Sequence, residues 1–206
     1  MGGRWPQFAA NVKSMFGNGS TTLQQDLDKA AEVYYAGARK LWSMAGVDNL
    51  IAALGDHDIG DNPWVVGSPR GLNVNTMKQA FGSYMVDPLG LPATWHGLST
   101  RAPEGLGQYD ETTYLRQTDN VLFVSLDVFH YEGGNAVTAN SAVSINFTGA
   151  QLTWLSQVLD AADADASIDH VILQGHAPIL QPVDSLRSSP LYAPKLTKAG
   201  RRDPRH

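Results

Sequence analysis

Leu54-Gly55-Asp56-His57-Asp58-Ile59-Gly60-Asp61-Asn62-Pro63-Trp64 gathers three carboxylates, one imidazole and two glycines within a few residues of each other. The apolar run before it, Leu50-Ile51-Ala52-Ala53-Leu54, reads as a short buried strand. Polar groups are thereby delivered to a strand end. In α/β folds ligands and catalytic groups collect there, because the strand is held rigidly while the loop after it aims side chains at a cleft. Alone, the string also fits a polar turn whose Asp side chains bond nearby amides. A second stretch, Ile168-Asp169-His170-Val171-Ile172-Leu173-Gln174-Gly175-His176-Ala177-Pro178, is again an apolar strand that brings Gly-His to its end. The two strands are compatible with being neighbours in one sheet.

Composition bounds the answer. The 206 residues, 43% hydrophobic and 17% charged, suit one core and are too few for two ordinary domains. A net charge of -5 gives no reason to expect a nucleic-acid partner. Lys195, Lys198, Arg201, Arg202 and Arg205 are concentrated near the end, which leaves the rest more acidic still. The absence of cysteine excludes disulfides, Cys-ligated zinc and thiol catalysis, so a metal would be held by His and oxygen. No apolar run approaches the ~20 residues that cross a bilayer, and the N-terminus lacks the apolar core of a signal peptide. No membrane association is expected. The compartment stays open: secreted or periplasmic if an N-terminal signal has been lost, cytoplasmic otherwise. Oligomeric state is not legible.

Taken in order, residues 1 to 20 read as a Gly-rich, aperiodic entry, and residues 1–19 and 186–206 as poorly ordered ends around a partial domain over 20–185. Thr22-Leu23-Gln24-Gln25 is a capping box opening a helix, with Leu27, Ala30, Ala31, Tyr34, Ala38, Leu41 and Trp42 on its buried face and Gly46 to stop it. Asn75 or Thr76 caps a second helix carrying Met77, Ala80, Phe81, Tyr84 and Met85, which Pro88 ends. Residues 88 to 110 read as a long irregular connection walling a substrate site. Trp64 and His96 are its candidate substrate residues, although a solvent-exposed loop His is the commoner case. Thr112 to Gln117 and Val121 to Leu126 read as an antiparallel hairpin whose second strand is buried on both faces and ends at Asp127. Thr148-Gly149-Ala150-Gln151 is a second capping box before a helix with Leu152, Leu155, Val158, Leu159 and Ala162 buried. Helix followed by parallel strand is a crossover unit, so the expected class is α/β with a mixed sheet flanked by helices.

With both Gly-His stretches in view, the chain resembles the calcineurin-like metallophosphoesterases, the superfamily that includes purple acid phosphatases. Gly55-Asp56-His57-Asp58 is similar to that family's Gly-Asn-His-Asp motif, and Gly175-His176-Ala177-Pro178 to its strand ending in Gly-His before a Pro. The resemblance implies an incomplete four-layer sandwich. It implies hydrolysis of phosphomonoesters or phosphodiesters at a site of two divalent or trivalent metal ions, with manganese, iron and zinc all compatible with His and oxygen ligands. Asp56 would stand where the family has a ligating Asn, and His176 matches a His ligand of the same metal. His57 matches the His that contacts phosphate and protonates the leaving alkoxide, and Asp58 would orient its ring. The family's Asp-x-His, Gly-Asp-x-x-Asp and Gly-His-x-His motifs are not found in the chain, which the resemblance explains either as a fragment of a longer enzyme or as a non-catalytic relative serving as a binding module. Two ligands are too few for a tight site. The expectation for the 206 residues is weak metal binding and little or no phosphatase activity. A metal-independent hydrolase is disfavoured by the lack of a Gly-x-Ser-x-Gly elbow.

Overall fold

Thr22 opens the longest helix as its spacing requires. Its side chain accepts from the Gln25 backbone N–H, and the Gln25 side chain accepts from the Thr22 N–H. The computed structural model describes residues 5–16, 22–55, 58, 76–103, 109–127, 131–132, 135–136 and 149–176. Helix α1, Trp5–Phe16, precedes α2, Leu23–Met44, and Gly46, at φ 79°, follows the stop. On α2 the residues Leu27, Ala30, Ala31 and Tyr35 are buried, while Tyr34 and Ala38 are only partly so. Leu41, expected in the core with Trp42, is 69% exposed, and Trp42 is exposed too. The last turns of α2 thus project beyond what they were expected to cover.

The expected aperiodic entry is corrected by α1. Val12 is buried, and Lys13 pairs with Asp26 of α2 at 3.2 Å. Residues 186–206 lie outside the described residues.

Helix α3 covers residues 76–81 and continues as a π turn, Gly82–Val86, and a 3₁₀ turn, Asp87–Leu89. Pro88 does not end it. It stands at the start of the 3₁₀ turn, where its missing N–H costs nothing; the chain leaves at Gly90 in the left-handed region. Residues 88 to 110 are less irregular than expected. They hold a hairpin of β1, Thr94–Trp95, and β2, Leu98–Ser99, joined by His96 and Gly97, both at positive φ. That is the backbone a two-residue turn needs to match strand twist. A short helix α4, Tyr109–Thr112, follows.

The main sheet is mixed, in the order β3-β4-β7, with β3 at Tyr114–Thr118, β4 at Val121–Leu126 and, after the small β5, Tyr131–Glu132, and β6, Asn135–Ala136, the strand β7 at His170–Gly175. The hairpin β3–β4 turns at Asp119 and Asn120, as the sequence indicates. Helix α5, Gly149–Ala164, leads over to β7, which runs parallel to β4 from Val121↔His170 to Leu126↔Gly175. The crossover expected from helix followed by strand is present, and the fold is α/β. Trp154, Leu155, Val158 and Ala162 of α5 join Leu122, Val124 and Leu126 of β4 in the core. No helix among the described residues is long and apolar enough to cross a membrane.

The segment Leu50 to Leu54 forms no strand and does not pair with β7 in the sheet. The Ala52 N–H donates to the Tyr114 hydroxyl at 2.9 Å, and the Ala52 carbonyl accepts from Tyr114 at 2.7 Å and from Ser125 at 2.9 Å. Tyr114 and Ser125 are paired across β3 and β4, so both hydroxyls rise from one face of the sheet. The apolar run lies over that face, with the backbone of Ala52 satisfied by side chains rather than by a ladder.

Candidate functional site

Two connections converge where β4 and β7 end. From the segment over the sheet, the chain turns at Gly55. The Asp58 N–H donates to the Gly55 carbonyl at 3.1 Å, and the Gly55 N–H donates to Asp58 Oδ2 at 2.9 Å, which closes the loop on itself. From α2, the Tyr34 hydroxyl donates to the other oxygen, Asp58 Oδ1, at 2.9 Å. From the end of β7 comes His176. A Cβ placed on Gly55 would lie 3.1 Å from His176 Nδ1 and 3.1 Å from Asp58 Oδ2. Gly55 is therefore a close-approach glycine, with an imidazole and a carboxylate crowding the place where any other residue would put its side chain.

The structure thus brings Asp58 and His176 together, from stretches far apart in the chain. Asp56, His57 and Trp64 lie outside the described residues. His96 is placed elsewhere. Its Nε2 meets Asp165 Oδ2 at 2.8 Å, in the connection that precedes β7, whereas His176 follows β7. The neighbouring Trp95 bonds Gln117 near the β3–β4 turn. Six strand residues separate the two ends of β7 by roughly 17 Å, so a site built on Asp58 and His176 does not include His96. The carboxyl of Asp165 is held below its ordinary range by hydrogen bonds from Ser167, opposed by partial desolvation and helped by His96.

Beneath this end lies a charge pair that sequence reading missed. Lys78 Nζ stands 2.7 Å from Asp127 Oδ2, with the side chains 1% and 0% exposed. Asp127 follows β4 directly, in step with His176 after β7. Thr112 donates to Asp127 Oδ2 at 2.6 Å. The Asp127 N–H donates to Thr113 Oγ1 and to Gln151 Oε1, and Gln151 Nε2 donates back to the Asp127 carbonyl at 2.9 Å. Gln151, expected as the far half of a capping box, is spent on tying α5 to the strand end. Burial pulls the Lys78 ammonium below its ordinary value, and Asp127 opposes that pull. One signal was available: Lys78 shares a helical face with Phe81 and Met85, at spacings of three and seven.

Tyr35 connects the two clusters. It is buried, and its hydroxyl has no hydrogen-bond partner among the described residues. Burial first, then the charges of Asp58, Tyr34 and Asp127, push its phenol well above the ordinary value. Its ring meets Tyr34 edge-on at 5.0 Å and Phe81 at 5.8 Å. The Tyr34 phenol is pushed up to about 12 by burial and by the charge and hydrogen bond of Asp58.

The donor set decides what a cation would find. Asp58 has both oxygens engaged inside the protein, which suits a positioning carboxylate better than a ligand. Among the described residues no group of three or more His, Cys, Asp or Glu stands together to hold a metal ion. These residues alone do not make a two-cation centre. No family model, no curated protein and no solved structure matches this chain.

Proposed function

We propose that the chain carries part of a phosphate-ester hydrolase centre of the metallophosphoesterase kind, set at the end of β4 and β7. One observation supports it above others: His176 and Asp58, which belong to the two stretches that carry the resemblance, meet at Gly55. The same reading takes the mixed sheet as part of an incomplete four-layer sandwich. Asp58, anchored through both oxygens, orients the adjoining His57, and His57 supplies a proton to the departing alkoxide. His176 and Asp56 are this chain's contribution to cation binding. The substrate is a phosphomonoester or phosphodiester.

The test is hydrolysis of nitrophenyl phosphate at high enzyme concentration with excess manganese, beside calorimetric titration with the metal. The expected result is weak binding and slow turnover that His176→Ala abolishes together. His57→Ala leaves the binding nearly intact while lowering turnover by roughly 10²- to 10⁴-fold, the range for a lost proton donor. Metal-independent turnover, or binding and turnover indifferent to His176, would overturn the reading.

A further inference from the structure

We propose that Tyr34 is a positioning residue of this site, holding the Asp58 carboxylate in the orientation the reaction uses. The inference rests on the hydrolase reading above and adds to it a residue that neither motif contains. A carboxylate at the end of a loop is free to rotate about two side-chain bonds, and rotation would spoil its aim. Here two donors from different parts of the fold remove that freedom. The Gly55 N–H takes Oδ2 and the Tyr34 hydroxyl takes Oδ1, each at 2.9 Å. The first donor belongs to the loop itself and moves with it. The second is anchored in α2, a helix of 22 residues, and ties the loop to the body of the fold.

The donor is itself fixed. Tyr34 packs edge-on against Tyr35 at an interplanar angle of 80°, and Tyr35 packs in the same manner on Phe81 of α3. The chain of rings runs from the core to the loop. Tyr34 differs from its neighbour in being only half-buried, so of the core and core-edge places that the helical spacing allows it takes the edge, at the boundary between core and site. The phenol donates to the Asp58 carboxyl at 2.9 Å beside His176 and adds no charge of its own to the site. The elevation of the Tyr34 phenol to about 12, with burial first and Asp58 second among its causes, agrees with that geometry.

The experiment pairs a spectroscopic readout with kinetics on the 206-residue chain. Ultraviolet titration of tyrosinate, with Tyr34→Phe identifying the Tyr34 component, is run on the wild type and on Asp58→Asn. Turnover of nitrophenyl phosphate with excess manganese is measured for Tyr34→Phe, Asp58→Asn and the double variant. The expected result is that the late Tyr34 transition moves toward the ordinary tyrosine value in Asp58→Asn. Tyr34→Phe should lower turnover by roughly 10- to 100-fold, the usual loss when a supporting hydrogen bond is removed, with little change in KM. The double variant should be no slower than Asp58→Asn, because both changes break one unit. A Tyr34 transition unmoved in Asp58→Asn overturns the proposal whatever the kinetics show. Turnover of Tyr34→Phe equal to wild type, or losses that simply multiply, also overturns it and leaves the bond a structural one. Absence of turnover in every form, with the titration behaving as expected, overturns the hydrolase reading and the positioning role with it, but not the Tyr34–Asp58 bond.

Discussion

Lys78 holds a buried ammonium against the equally buried Asp127 carboxylate. An ammonium and a carboxylate that are both out of water cost several kcal/mol each to desolvate, and their attraction returns that only when the remaining hydrogen-bonding positions are filled. Thr112 and Lys78 share one Asp127 oxygen, and the residue's backbone is held by Thr113 and Gln151. Removing one charge strands the other. Lys78→Ala should therefore lower the stability by about 3–5 kcal/mol in urea unfolding, whereas Lys78→Met combined with Asp127→Leu should recover most of the loss. The pH dependence has a definite sign. Because burial lowers the folded-state value of Lys78 below its ordinary 10.5, the unfolded chain binds more protons in the alkaline window just under that value, and the Lys78 contribution to stability rises with pH there. A double variant as unstable as Lys78→Ala, or an opposite slope that disappears with Lys78, would show that the pair is not as tightly buried as it stands here.

At the scale of elements, local chemistry was readable and tertiary choices were not. The α2 capping box and the β3–β4 hairpin were legible because each is decided within a few residues: Thr22 and Gln25 satisfy each other, and Asp119-Asn120 tolerates the turn backbone. Helix α1 also had its signal, with apolar residues at Trp5, Phe8, Ala9, Val12 and Phe16, but the glycines on either side masked it. Leu50 to Leu54 departs from the expected strand for another reason. An apolar run says that it will be buried and not who will satisfy its backbone; here Tyr114 and Ser125 do, from strands sixty residues and more away. Gly55 and His176 belong to the two matching motifs, but they meet without the neighbouring strands the sequence suggested; Tyr34 and Lys78 lie on apolar helical faces that spacing marks, and helix packing carries them to the site region. The π turn after α3 begins at a glycine with no room for a side chain. Glu111 lies so close to Gly82 that a Cβ there would fall on its carboxyl group. Gly82→Ala should cost about 1–3 kcal/mol, the usual penalty of overpacking, and the cost should shrink markedly when Glu111→Ala removes the obstacle. Equal costs in both backgrounds, measured by urea unfolding, would mean that the helix backbone and not Glu111 sets the requirement.

Among the described residues the main sheet is unevenly covered. The outer edge of β3 is met by the preceding segment, since the Leu115 N–H bonds the Thr100 carbonyl at 2.8 Å and the Ala102 N–H bonds the Thr113 carbonyl at 3.0 Å. The opposite side of the sheet differs. Among the described residues β7 is paired with β4 alone, and Val171, Ile172 and Leu173 are 39%, 43% and 38% exposed. Successive strand residues point to opposite faces, so apolar surface is open on both. A parallel strand with an unbroken apolar run is ordinarily covered on both faces, and an apolar strand at an open edge offers its backbone to other chains. The 206-residue chain should therefore self-associate as its concentration rises. Ile172→Lys should suppress the association, because a charge on the edge must be desolvated before another strand can pair there. Sedimentation velocity over a range of concentrations reads the effect directly, with circular dichroism to confirm that the variant is folded. A wild type that stays monomeric throughout, or a folded Ile172→Lys variant that associates as strongly as the wild type, would show that β7 is not the surface responsible.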